Sequence, residues 1–157
     1  MTKKLTNILG AGLILVGSLG LLGGCASQKK TSGLSSSAIE TDLFACSKII
    51  DANGSGKTDT GDNFVGIGRE FNIDGTVYFI AQIKNRQNKQ LTAELYYNKA
   101  GMVGEPYSEK ITSNDHYTVI ELSPEEIQKR GGVGNYTMRW YLDGSLLGMT
   151  LAEVTKK

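Results

Sequence analysis

Between Asp51 and Asp62 the chain reads Asp-Ala-Asn-Gly-Ser-Gly-Lys-Thr-Asp-Thr-Gly-Asp, a run rich in oxygen-bearing side chains. Asp51, Asn53, Ser55, Asp59 and Asp62 fall on the first, third, fifth, ninth and twelfth places of the calcium-loop spacing. Gly56 falls on the sixth, where such a loop must turn sharply. Carboxylate, amide and hydroxyl oxygens are the hard ligands that Ca²⁺ takes. The run departs from a calcium loop in three ways: its last place holds Asp where a bidentate Glu is needed, its eighth holds Thr58 and not an apolar residue, and no helical periodicity flanks it. A solvated Gly/Asp turn between strands accounts for the same residues. No cofactor is therefore expected, with calcium on Asp51, Asn53, Ser55, Asp59 and Asp62 as the one alternative.

The other residues that could do chemistry are few. Gly54-Ser55-Gly56-Lys57-Thr58 has the ending of a phosphate-binding loop, but the glycine needed five residues before Gly56 is Asp51, and Asp59-Thr60-Gly61-Asp62 is a poor helix start. His116 is the only histidine; zinc needs more nitrogen and sulfur ligands than the chain offers. No nucleophile is placed for His116 to serve, so it reads as an exposed residue opening a strand, and no catalytic residue is expected. Cys46 is either a buried, inert thiol or one free to pair with a partner, and its place on an apolar run between Ala45 and Ser47 favours burial. Tyr96, Arg139 and Tyr141, with Glu94, are candidates of another kind. Projecting outward from neighbouring strands they would make an amphipathic binding surface; covered by a second sheet they would be core.

The elements that must position these residues read as strands. Tyr136-Thr137-Met138-Arg139-Trp140-Tyr141-Leu142 alternates apolar and polar, stops at Asp143-Gly144 and resumes as Ser145 to Leu151. That is a β-hairpin with a type I′ turn, which needs φ > 0 at both central residues. Period-two alternation puts Tyr136, Met138, Trp140 and Leu142 on one face and Thr137, Arg139 and Tyr141 on the other. Asp42–Ile50 is read as an opening strand, Phe64–Ile67 as a short edge segment and Gly75–Lys84, apolar on both faces, as a central strand. Gln90–Asn98 follows, with Leu91, Ala93, Leu95 and Tyr97 on one face, then a weak edge strand over Met102–Ile111 and a stronger one over Tyr117–Leu122. Ser123-Pro124-Glu125-Glu126 begins a short helix near 123–130, with acids first and bases last, and Gly131-Gly132 ends it. About seven strands at this spacing, with turn signals between them, predict an all-β antiparallel sandwich. Twenty glycines and 39% hydrophobic residues fit such a fold.

At the N-terminus, Lys3-Lys4 precede a glycine-interrupted apolar stretch from Ile8 to Leu22, of signal-peptide length and short for a membrane span, ending in Leu22-Gly23-Gly24-Cys25. The order resembles the bacterial lipoprotein signal, with Gly23 where Ala or Ser is more typical. The resemblance implies cleavage after a signal peptide of residues 1–24 and acylation of Cys25, which anchors the protein to a membrane. Without Lys3 and Lys4 the chain carries 15 basic against 16 acidic residues, which offers no basic surface for nucleic acid. Residues 26–38 are Ser-, Gly- and Lys-rich without periodicity, so 25–38 read as a lipidated cysteine and flexible tether, and 39–157 as the folded domain. Ala26, not Asp, follows Cys25; in a Gram-negative cell that resembles lipoproteins sorted to the outer membrane, facing the periplasm. Gly134-Asn135-Tyr136 at the start of the penultimate strand resembles the tyrosine corner of immunoglobulin-like domains. The expectation is a cell-envelope lipoprotein with an Ig-like sandwich, acting as a non-catalytic binding or adaptor module with a protein partner in the envelope. The alternative is an inhibitor or small-ligand-binding lipoprotein, calcium-assisted through the Asp51–Asp62 loop.

Overall fold

Strand-forming runs bounded by turn residues give eleven strands and one helix among the described residues of a computed structural model, which are residues 40–98 and 100–156. The signal segment, Cys25 and the tether lie outside the described residues. In chain order the elements are β1 (Glu40–Cys46), β2 (Lys48–Ile50), β3 (Asn63–Val65), β4 (Glu70–Asn72), β5 (Val77–Lys84), β6 (Gln90–Tyr97), β7 (Gly101–Met102), β8 (Tyr107–Lys110), β9 (Asp115–Leu122), α1 (Pro124–Arg130), β10 (Gly134–Leu142) and β11 (Ser145–Thr155). The small sheet has the order β1-β5-β9. The large one runs β4-β11-β10-β6-β7, with β8 also on β6, and β2 pairs with β3 in a separate ribbon. In the lettering of immunoglobulin domains, β1, β5 and β9 hold the places of strands A, B and E, and β11, β10 and β6 those of G, F and C.

The described residues form eleven strands where the sequence predicts about seven: expected strands divide, and β4, three residues long, carries too short a pattern to read. The expected opening strand is broken at Ser47, which separates β1 from β2. One pairing is parallel: β4 joins β11 at Glu70↔Glu153, Phe71↔Val154 and Asn72↔Thr155, because the chain crosses from the small sheet to the edge of the large one after Cys46. The expected edge strand over 102–111 divides into β7 and β8 around Gly104, at φ +80°, and Pro106, which has no N–H to give a ladder.

Two local signals fix the hairpin and the corner. Asp143 and Gly144 adopt φ +48° and +78°, the type I′ geometry, and Asp143 holds it by accepting the Gln90 amide at 2.8 Å and pairing with Lys89 at 2.6 Å. Ser123 Oγ accepts the Glu126 amide at 3.3 Å to cap α1, and Gly131 ends the helix at φ +135°. A Cβ on Gly131 would come within 2.3 Å of the Tyr97 ring, so only glycine fits. The helix end then meets Tyr136, whose hydroxyl is shared between the carbonyls of Gly132 at 2.9 Å and Ile127 at 3.1 Å, the tyrosine-corner bond.

Tyr136, Met138, Trp140 and Leu142 are buried between the sheets with Phe79, Ile83, Leu91, Leu122 and Val154. Burying each such side chain contributes about 1.5–3 kcal/mol. Trp140 donates from Nε1 to Thr150 Oγ1 at 3.1 Å, so its polar edge is satisfied inside the core. The tryptophan is on β10, where an antibody domain carries it on strand C, and Cys46 is a free, buried thiol.

Candidate functional site

The outer face of the large sheet follows from register. Across β11, β10 and β6, the rows are Met149–Arg139–Glu94, Leu151–Thr137–Tyr96 and Leu146–Tyr141–Thr92; Met102 of β7 extends the Tyr96 row and Ser108 of β8 the Thr92 row. A bulge on β11 near Leu147 brings Leu146 opposite Tyr141 and keeps it on this face. Tyr96, Arg139 and Tyr141 therefore project outward, as the expected binding surface requires, with Glu94 among them.

The centre of this face is held by hydrogen bonds. Glu94 Oε2 accepts from the Tyr96 hydroxyl at 2.8 Å and the Tyr141 hydroxyl at 3.0 Å, and the Arg139 guanidinium carbon stands 4.2 Å from the centre of the Tyr96 ring. Glu94 holds the Tyr96 hydroxyl protonated by accepting its hydrogen bond, raising its pKa. The border is apolar and open: Leu146 and Met149 are each 56% exposed, Met102 46% and Leu151 44%. Sequence reasoning named the centre and missed this border. Its signal was the period-two parity of Met149 and Leu151, which share a face with Arg139 once the hairpin register is set.

The Asp51–Asp62 loop does something else with its oxygens. Asp51 takes the Ser55 amide on Oδ1 at 3.0 Å and the Gly56 amide on Oδ2 at 2.7 Å, and Asn53 Oδ1 takes the Ser55 amide at 2.9 Å. Asp59 Oδ1 accepts the Gly61 amide at 2.7 Å and Asn53 Nδ2 at 2.9 Å, bonds that hold its carboxyl below the usual range. Asp62 Oδ2 accepts the Asp59 amide at 3.2 Å, while its Oδ1 is buried without a partner. The Ser55 hydroxyl donates to the Lys57 carbonyl at 2.8 Å. Apart from Asp62 Oδ1, these Asx-type and hydroxyl turns bond the loop's side chains from within. Among the described residues no three His, Cys, Asp or Glu side chains gather at a point where a metal could sit.

His116 departs from the exposed position expected of it. It is buried to 9% exposure, and Nε2 lies 2.9 Å from Glu109 Oε1, which also takes the Thr118 hydroxyl. The reason is parity: His116, Thr118 and Leu122 share the inward face of β9, and Glu109 on β8 reaches them from the other sheet. Burial pushes the Glu109 carboxyl up, but bonds from His116, Thr118 and Tyr107 outweigh it and hold the carboxyl below its ordinary value. Burial and the bond to Glu109 push Tyr107 up to about 12. Cys46 is fully buried as expected, and burial pushes its thiol up, away from the reactive thiolate.

Cavities among the described residues range from about 190 to about 580 Å³, so some reach the size of a small-molecule pocket. A slot of about 190 Å³, lined by Leu95, Ile120 and Met138 together with Glu105, Glu126 and Arg130, lies below the roughly 300 Å³ at which small-molecule pockets begin. A hollow of mixed lining, about 580 Å³, lies between Lys57, Asp59, Asp115, His116, Tyr117 and Val119. A scan against protein-family models finds no match to the chain, and a search of curated proteins finds no relative.

Proposed function

We propose that the protein is a cell-envelope lipoprotein, held on the membrane through Cys25, whose Ig-like domain binds a protein partner on the outer face of its large sheet without catalysing a reaction. One observation carries the reading: Tyr96, Arg139 and Tyr141 form a pre-ordered centre bordered by exposed Leu146, Met149, Leu151 and Met102. Tyrosine, arginine and methionine are the residues that binding surfaces favour at their cores, and an open apolar border excludes water once covered. Strands hold the centre in place, so little ordering entropy is lost on binding. In a Gram-negative cell the Ala26 pattern puts the domain in the periplasm on the outer membrane.

The test is crosslinking in intact cells, purification through a C-terminal tag, and mass spectrometry, with Cys25→Ala and Tyr141→Ala/Met149→Ser as controls. A stoichiometric envelope protein that is lost in both controls supports the reading. Recovery of the same protein at undiminished yield from the Tyr141→Ala/Met149→Ser chain moves the binding surface elsewhere.

A further inference from the structure

We infer that this face takes a partner that presents an aspartate or glutamate side chain set among apolar residues, with Arg139 as the anchor that receives it. The inference rests on the binding reading above and adds the partner's chemistry. Arg139 stands directly opposite Glu94 in the β10–β6 register, the position in which a cross-strand ion pair would ordinarily close. It does not close. The Glu94 oxygen accepts two tyrosine hydroxyls, and the guanidinium lies over the Tyr96 ring; among the described residues no ion pair includes Arg139.

An arginine in that state is pre-organised for a carboxylate. The Tyr96 ring holds the guanidinium over its face, and the N–H donors form a fork that matches the two oxygens of a carboxylate. Its neighbour across β11 is Met149, with Leu151 and Leu146 beyond in the adjoining rows and Met102 past Tyr96. A partner that covers this border removes water from around the pair, and a charge-assisted bond gains strength as the local dielectric falls. Glu94 lies on the β6 side, so the approach that avoids its charge runs over Met149. Apolar residues line the β11 side of Arg139 and return at Met102 past Tyr96, which fits an acidic side chain in the middle of a partner's surface better than one at a chain end.

The test uses the full, lipidated chain in intact cells. A photo-crosslinking p-benzoylphenylalanine at Met149 marks the partner, mass spectrometry locates the crosslinked peptide, and Arg139→Glu and Arg139→Lys are compared in the same background. The expected result is a crosslinked peptide whose acidic residue is flanked by apolar ones. Crosslink yield should fall about tenfold or more in Arg139→Glu, less in Arg139→Lys, and return when the partner's acidic residue is changed to arginine. Protease resistance unchanged in Arg139→Glu shows that the domain still folds. Undiminished crosslinking in Arg139→Glu overturns the anchor and leaves the binding reading standing. Crosslinks only to lipid, to a second copy of this chain or to nothing overturn the inference, and the last also removes the binding reading.

Discussion

The two faces of β10 divide the work of the domain. Inward, Tyr136, Met138, Trp140 and Leu142 are all buried, and every polar atom they bring has a partner: the Tyr136 hydroxyl at the corner, the Trp140 N–H on Thr150. Outward, Arg139 and Tyr141 are half-buried, ordered by Tyr96 and Glu94, and edged by apolar side chains that are exposed among the described residues. The inner face spends its side chains on folding and the outer face keeps its side chains ordered without using them for that. An ordered but uncovered set of aromatic and arginine side chains is what distinguishes a binding surface from ordinary solvated sheet.

The sharpest way to break the comparison is on the inner face. Trp140→Ala should lower stability by about 3–5 kcal/mol, read from urea unfolding of the tagged chain, because it opens a cavity and strands Thr150. A loss below about 1 kcal/mol would mean that β10 is not the centre of the core. Tyr136→Phe keeps the packing and removes only the corner bond, so a loss of about 1 kcal/mol is expected in the same measurement. Acid should act through the bridge between the sheets. The lowered pKa of Glu109 means that the folded state favours its ionised form, so its contribution is present above the ordinary value of 4.5 and fades as pH falls through the lowered one. Unfolding midpoints taken from pH 6 to pH 2 should therefore drop less steeply in Glu109→Gln than in the parent. Smallest of all, Arg139→Ala and Tyr141→Ala should each shift stability by about 0.5 kcal/mol or less while reducing partner crosslinking. If either destabilised as Trp140→Ala does, the outer face would be part of the fold, and the division would fail.

The division was partly legible in the sequence. The Asp143-Gly144 turn sets the hairpin, and period two then assigns every residue of β10 to a face without any knowledge of the sheet order. Ser123, Pro124 and Gly131 mark the helix for the same local reasons. What could not be read depends on partners distant in the chain. Whether Tyr96 and Tyr141 were covered needed the pairing of β6 with β10, and the inward turn of His116 needed Glu109 on the opposite sheet. The parallel β4 runs for three residues, too few for a period to show, and no local pattern told that β2 leaves β1 to pair with β3. In the Asp51–Asp62 loop, the calcium spacing and the Asx-turn spacing call on the same residues, and only the directions of the amides separate them.

The β4–β11 pair has a consequence for how the domain is assembled. Phe71 and Val154 lie far apart in sequence, and the crossing from the small sheet to the large one is complete only when they meet. Contacts of such long range form late and slowly, after the loops between them have closed. The chain thus remains unsealed until residues near 155 are in place. A nascent chain would keep its apolar strands available to chaperones until then, and a cut within β11 would release the crossing strand and the corner hairpin together.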